Sequence, residues 1–239
     1  MAPTKILSRY DYSPRATNLT KRDEMSSATI ARNVFIMGSS GFAREIKTYV
    51  VEATHSPEEN IFFVDDSSKD ALSVAQYHQK VNGDSAAVTI LGSGRPEVKA
   101  RMLTQVRTKF FKLIHPSAMV SPTATVDLGT VVAPGAVVSV NTIVGEHVLL
   151  NYNCTIGHDS IVGSLAVISP NASIGGWVTV GEGAYVGSGA QIKEKLTVGN
   201  GSVVGMGAVV TKDIPAGHIA IGVPARIYTP DEWAAHQNL

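Results

Sequence analysis

From Val120 to Val210 every sixth residue is Val, Leu or Ile without a break: Val120, Val126, Val132, Val138, Val144, Leu150, Ile156, Val162, Ile168, Ile174, Val180, Val186, Ile192, Val198, Val204 and Val210. A period of six matches neither a helix nor a simple two-faced strand. It matches a chain that turns a corner every six residues and stacks each coil on the one before, so this half is predicted to be a parallel β-helix. Four places after each anchor the residue is usually small, as in Ala136, Cys154, Ala166 and Ala190. Glycine follows the anchor at 145, 157, 163, 175, 181, 187, 199 and 205, where a corner is expected to need its backbone freedom. A β-sandwich would place its strands roughly 8 to 12 residues apart with irregular turns, and would not hold a single phase. With strands ~4.8 Å apart, five three-sided coils stand roughly 24 Å tall, and residues eighteen apart lie one above the other.

The 239 residues are enough for two modest domains with a buried core. Twenty basic and twenty acidic residues, with no basic run, argue against nucleic acid or an anionic membrane as partner. No apolar stretch is long enough to span a bilayer. The one cysteine, Cys154, has no partner for an internal disulfide, and its place among the small residues of the repeat points to core packing. A cytoplasmic location is the expectation.

Residues 1–29 are polar and aperiodic, and read as a flexible arm without the apolar segment of a secretory leader. Residues 30–112 alternate short apolar strands with helical segments. A strand over 33–37 runs into the turn Gly38-Ser39-Ser40-Gly41-Phe42-Ala43 and a helix from 44 to about 53. A second strand over 61–64 ends in Asp65-Asp66, a third over 87–91 ends in Gly92, and a helix is expected over 96–108. This order predicts a small Rossmann-like α/β domain whose loops bind ligand at the strand C-termini. The segment 110–119 links it to the coil over 113–228, and 229–239 forms a tail.

Gly38-x-x-Gly41-x-Ala43 is short of the full dinucleotide fingerprint, and by itself fits a steric role as well as a ligand turn. Asp65 and Asp66 stand where a carboxylate can bond a ribose hydroxyl or a base edge, or can cap the next turn. A nucleotide or nucleotide-sugar is the guest that suits so small a domain. In the coil, His158 lies two residues past an anchor, near an outward corner, with Asp159 beside it to hold its tautomer. His147, beside Glu146, is the competing candidate. Gly176 is one eighteen-residue rung beyond His158 and either exposes a backbone N–H to a reacting carbonyl or eases the corner. A zinc site would need three converging histidines, whereas the repeat offers His147 and His158, off the rung period.

The strings VFIMGSSGFARE, FFVDD, IGHDSIVG and VVGMGAVVTKDIPAGHIAIGVPARI resemble the PglD/NeuD-type sugar acyltransferases of the left-handed β-helix, or hexapeptide-repeat, superfamily, over residues 33 to about 228. The resemblance implies an α/β domain followed by a left-handed parallel β-helix, assembled as a homotrimer. It implies acetyl-CoA as co-substrate between neighbouring coils and a nucleotide-linked amino-sugar on the N-terminal domain. His158 matches the family's base, Asp159 its acidic partner, and Gly176 a glycine whose amide meets the thioester carbonyl. Ser188 and Met206 match further cofactor contacts, whereas Val167 stands where many members carry a second histidine near the thioester. Ser40, Gly41, Phe42, Asp65, Asp66 and Gly92 match the substrate loops, and no metal is implied. The expected activity is N-acetylation of the amino-sugar. O-acetylation of a sialic-acid-like sugar is the rival within enzymes, and a non-catalytic β-helix scaffold the rival outside them.

Overall fold

The computed structural model describes residues 33–237, so the expected arm over 1–29 lies outside the described residues. Val34–Met37 (β1), Ile61–Val64 (β2), Val88–Leu91 (β3) and Lys109–Phe110 (β4) form a parallel sheet in the order β2-β1-β3-β4. Strands β1 and β3 are buried along their whole length, which is why they read as unbroken apolar runs. Helix α1, Gly41–Thr54, buries Ala43, Ile46 and Val50 on one side of the sheet. Helix α2, Val74–Val81, contributes Tyr77 to the apolar cluster that holds Phe35 and Leu91. The capping box of Ser73 and Gln76 starts α2, a signal the sequence carries but which was not part of the expected element order. Helix α3, Pro96–Leu103, stops earlier than expected because the chain must return to pair β4 with β3.

The coil has three parallel faces. One stacks the five strands that end in Val126, Val144, Val162, Val180 and Val198, and another the six that end in Val120 through Val210. The third runs from Leu113–Ile114 to Ile219–Ile221, seven parallel strands, and is closed by the antiparallel Arg226–Tyr228. The coil thus continues beyond both ends of the uninterrupted repeat. Each anchor points inward and, with the small residues, makes one continuous apolar core that includes Cys154. Hydroxyls in the small column stay satisfied: Ser160 Oγ donates to the Gly175 carbonyl at 3.0 Å and accepts from the Val178 amide at 3.1 Å.

The corners differ from expectation. The left-handed backbone falls three residues past the anchors from Val126 to Val204, at Asn141, Asp159, Trp177 and Lys195 on one corner, and not at the glycine that follows the anchor. Those glycines answer to close approach instead. A Cβ at Gly157 would stand 2.6 Å from the Gly175 carbonyl carbon and the Gly176 amide nitrogen, and one at Gly163 would stand 2.6 Å from the Glu182 amide nitrogen. The next coil lies too near for a methyl group.

On the third face the outward column Leu113, Val131, Leu149 and Val167 is buried in one apolar cluster with Ile46 and Val50 of α1. Lys99 of α3 is buried there and donates from Nζ to the His147 carbonyl at 2.6 Å and the Ala166 carbonyl at 3.3 Å. The segment 110–119 is therefore tied at both ends, and within it His115 Nε2 pairs with Glu52 of α1. Within the expected tail, Pro230–Gln237 forms a helix.

Candidate active site

The strand Thr155–Ile156 ends in Gly157, and the next two residues turn the corner that presents His158 to solvent. Asp159, with φ of 57°, swings its carboxylate back so that His158 Nδ1 and Asp159 Oδ2 stand 2.8 Å apart. Asn141, one rung below, donates to the other carboxylate oxygen at 3.1 Å. The bond to His158, with that to Asn141 second, holds the Asp159 carboxyl below the usual carboxylate range. With Nδ1–H committed to Asp159, the neutral imidazole carries its free lone pair on Nε2. One rung above, Gly176 leaves the space that the imidazole fills: a Cβ there would lie 2.7 Å from Nε2. The Gly176 amide donates to no protein group among the described residues. A base with a fixed tautomer thus lies against a glycine whose backbone donor is unused.

His147, the competitor, is buried at the seam between coil and sheet, with the Phe110 ring edge-on at 4.3 Å and Nδ1 without a partner. Burial, reinforced by Lys99, pushes it down to about 4. It packs; it does not open toward a substrate. Val167 is 1% exposed and belongs to the same seam, so in this chain that position builds the contact between coil and sheet and does not reach the surface around His158. Ser188 and Met206 stack on each other, the Gly207 amide donating to the Ser188 carbonyl at 2.9 Å. They stand at the corner after the seven-stranded face, not at the corner of His158, so one chain does not bring the two sets together.

In the N-terminal unit, Gly38 takes φ of 102° and its amide donates to the Val64 carbonyl. Asp65 fastens the turn: Oδ2 accepts from the Ser39 amide at 3.1 Å and hydroxyl at 2.7 Å, while Oδ1 accepts from the Ser67 amide at 3.0 Å and hydroxyl at 2.6 Å. These bonds, led by the Ser67 hydroxyl, hold its carboxyl low. Asp66 Oδ1 accepts from the Val74 amide at the start of α2. Both aspartates line a cleft of about 260 Å³ with Gly38, Ser67, Met102 and Gln105. Ser40 and Gly41 are exposed at the start of α1, whose N-cap makes no side-chain bond, while Phe42 packs partly on the core. Gly92 is required sterically, since a Cβ would meet the Met37 carbonyl oxygen at 2.7 Å.

A family model described as the GMPPB C-terminal domain matches residues 111–227. Among solved structures, the perosamine N-acetyltransferase of Caulobacter crescentus, a histidine-to-asparagine variant in complex with CoA and GDP-perosamine, is 25% identical, with a TM-score of 0.76 over 83% of this chain and 97% of that one. The acetyltransferase domain of PglB from Neisseria gonorrhoeae, in complex with acetyl coenzyme A, is 28% identical, with a TM-score of 0.74 over 82% and 99%. WeeI from Acinetobacter baumannii is 25% identical, with a TM-score of 0.75 over 82% and 100%. The agreement extends through the sheet as well as the coil. The chain is an acyltransferase of the left-handed β-helix superfamily. No curated protein sequence matches it significantly. One residue beside the candidate site was not singled out from the sequence: Trp177, whose ring stands 4.5 Å from that of His158 at 86°. Its signal was present, an aromatic directly after the double glycine one rung from the histidine.

Proposed function

We propose that this acyltransferase moves the acetyl group of acetyl-CoA to the amine of a nucleotide-linked amino-sugar, with His158 as general base. The observation that carries this reading is the pairing of His158 Nδ1 with Asp159 at 2.8 Å while Nε2 lies against Gly176, 2.7 Å from where a Cβ there would stand, and the Gly176 amide makes no hydrogen bond among the described residues. In the proposed step the amine nitrogen bonds to the acyl carbon as His158 Nε2 takes its proton. The Gly176 amide donates to the carbonyl oxygen as charge develops there. The carbon–sulfur bond then breaks and the proton passes from His158 to the departing thiolate. The products are the acetamido sugar and free CoA.

The structures of similar proteins with CoA, acetyl-CoA or GDP-perosamine support both substrate classes. The acidic cleft of Asp65 and Asp66 at the strand ends suits the nucleotide portion. Ser188 and Met206, on a different corner from His158, suit a cofactor groove completed by a neighbouring coil, and so a homotrimer. No helix among the described residues is long and apolar enough to cross a membrane, and a cytoplasmic location is part of the proposal. The same base would activate a hydroxyl, so O-acetylation is the second reading.

The test is a panel of GDP-, UDP- and dTDP-linked amino-sugars and their hydroxyl counterparts with acetyl-CoA, read by release of free thiol. Cys154 is buried with its thiol pushed up to about 12, so it stays silent in a thiol assay. Turnover confined to the amino-sugars supports the proposal. Turnover with hydroxyl analogues alone, or with none, overturns it.

A further inference from the structure

Trp177 sits at a corner that does not need it. Its φ is 55°, a conformation costly for a bulky side chain, and the other residues of its column, Asn141, Asp159 and Lys195, are polar. The indole is 55% exposed, so it returns little to the core. Its backbone is held in place, the amide donating to the His158 carbonyl at 2.9 Å. Lys195, one rung above, sets Nζ over the indole at 5.6 Å from its centroid. With no side chain on Gly176 between them, indole and imidazole meet at 86° with centroids 4.5 Å apart. Two rings at a right angle form a step. A ring laid flat on the indole would stand close to perpendicular to the imidazole plane.

We propose that Trp177 determines acceptor specificity: the indole carries the apolar C–H face of the sugar's pyranose ring and thereby sets an edge amine against His158 Nε2. A pyranose suits such a wall because its axial C–H bonds make one face apolar, while equatorial groups project from the rim. Sugars with fewer hydroxyls, such as deoxy amino-sugars, fit best, since they lose least hydration on stacking. The proposal rests on the acetyl-transfer reading above, and adds the residue that selects the sugar rather than the nucleotide.

The test uses the full chain with Trp177→Asn and Trp177→Phe. Asn is chosen as the truncation because it tolerates the left-handed backbone, as it does at 141, 153 and 171. Trp177→Asn is expected to raise KM for the amino-sugar nucleotide roughly tenfold, the order of one aromatic contact, with KM for acetyl-CoA unchanged. Trp177→Phe is expected to recover most of that loss. In a Trp233→Phe background Trp177 is the sole tryptophan, and its emission should shift with the sugar nucleotide but not with the matching nucleoside diphosphate. An unchanged sugar KM in Trp177→Asn, an equal rise for both substrates, no rescue by Phe, or an emission that ignores the sugar each overturn the proposal. If wild type acetylates no amino-sugar nucleotide, the functional reading falls by itself: an emission shift with sugar nucleotides would then still uphold Trp177 as a sugar platform, and its absence would remove both.

Discussion

The imidazole of His158 rests where a side chain on Gly176 would have to be: a Cβ there would come within 2.7 Å of Nε2 and 2.8 Å of Cε1. The glycine is thus part of the geometry of the base. Gly176→Ala should lower kcat by about 10²-fold or more by displacing the ring, close to the roughly 10² to 10⁴ expected for His158→Ala. Because the φ of Gly176 is not left-handed, the variant should keep its fold, and a melting temperature near wild type alongside lost turnover is the result to look for.

Asp159 holds the ring through Nδ1 and is itself held by Asn141. Asp159→Asn keeps an acceptor at the same place and a residue that tolerates the corner, so it should cost less turnover than His158→Ala. Single-turnover rates for the two variants would order them. An equal loss would give Asp159 a larger part than orientation.

Asp65 spends both oxygens on the Ser39 and Ser67 turns, so its effect on substrate is through the shape of the cleft as much as by contact. Replacing Asp65 and Asp66 together with Ala should raise KM for the nucleotide-sugar with little change for acetyl-CoA, because the cleft lies on the sheet and not on the coil. Initial-rate kinetics with each substrate varied in turn checks this. Equal losses for both would indicate a general loosening of the fold.

The seam carries a pH signature. Burial pushes His147 from 6.5 down to about 4 and Lys99 from 10.5 down to about 7. Between 4 and 6.5 the unfolded chain binds the proton that buried His147 refuses, and between 7 and 10.5 the same holds for Lys99. In both windows the unfolded state holds more protons, so stability rises with pH. Acidification through the lower window should therefore cost on the order of 3 kcal/mol from His147 at most. Melting temperatures at pH 4.5 and 7.5 should converge in His147→Asn, and the rise above neutrality should flatten in Lys99→Met.

Two corner glycines separate steric need from backbone need. Gly157 has backbone of the next coil within 2.6 Å of a would-be Cβ, whereas Gly183 has nothing within 4 Å but takes φ of 62°. Gly183→Ala should cost about 1 kcal/mol, the price of a left-handed alanine. Gly157→Ala should cost several times more, since backbone must move, and denaturant midpoints would show the difference.

The coil was legible in the sequence because its period has a direct physical cause: each anchor from Val120 to Val210 points into one core, and the rung spacing of eighteen pairs Ile156 with Ile174 and Val162 with Val180. That period also puts Gly176 one rung above His158. The strands Ile61–Val64 and Val34–Met37 were readable as buried apolar runs, and Asp65 as the residue at a strand end. What could not be read was contact between units distant in sequence. His147 and His158 stand in similar local settings, and only the docking of Phe110 and Lys99 onto the coil buries one and leaves the other at a solvent-facing corner. Val167 likewise stands at a site position of the family, but here it is buried in the cluster shared by the coil and the N-terminal unit. The glycines after the anchors were seen, but their reason was not, because a 2.6 Å approach between coils is a property of the stack rather than of the local chain. Local periodicity determines where side chains point; which of them meets water, substrate or another unit is decided only when the sheet settles on the coil.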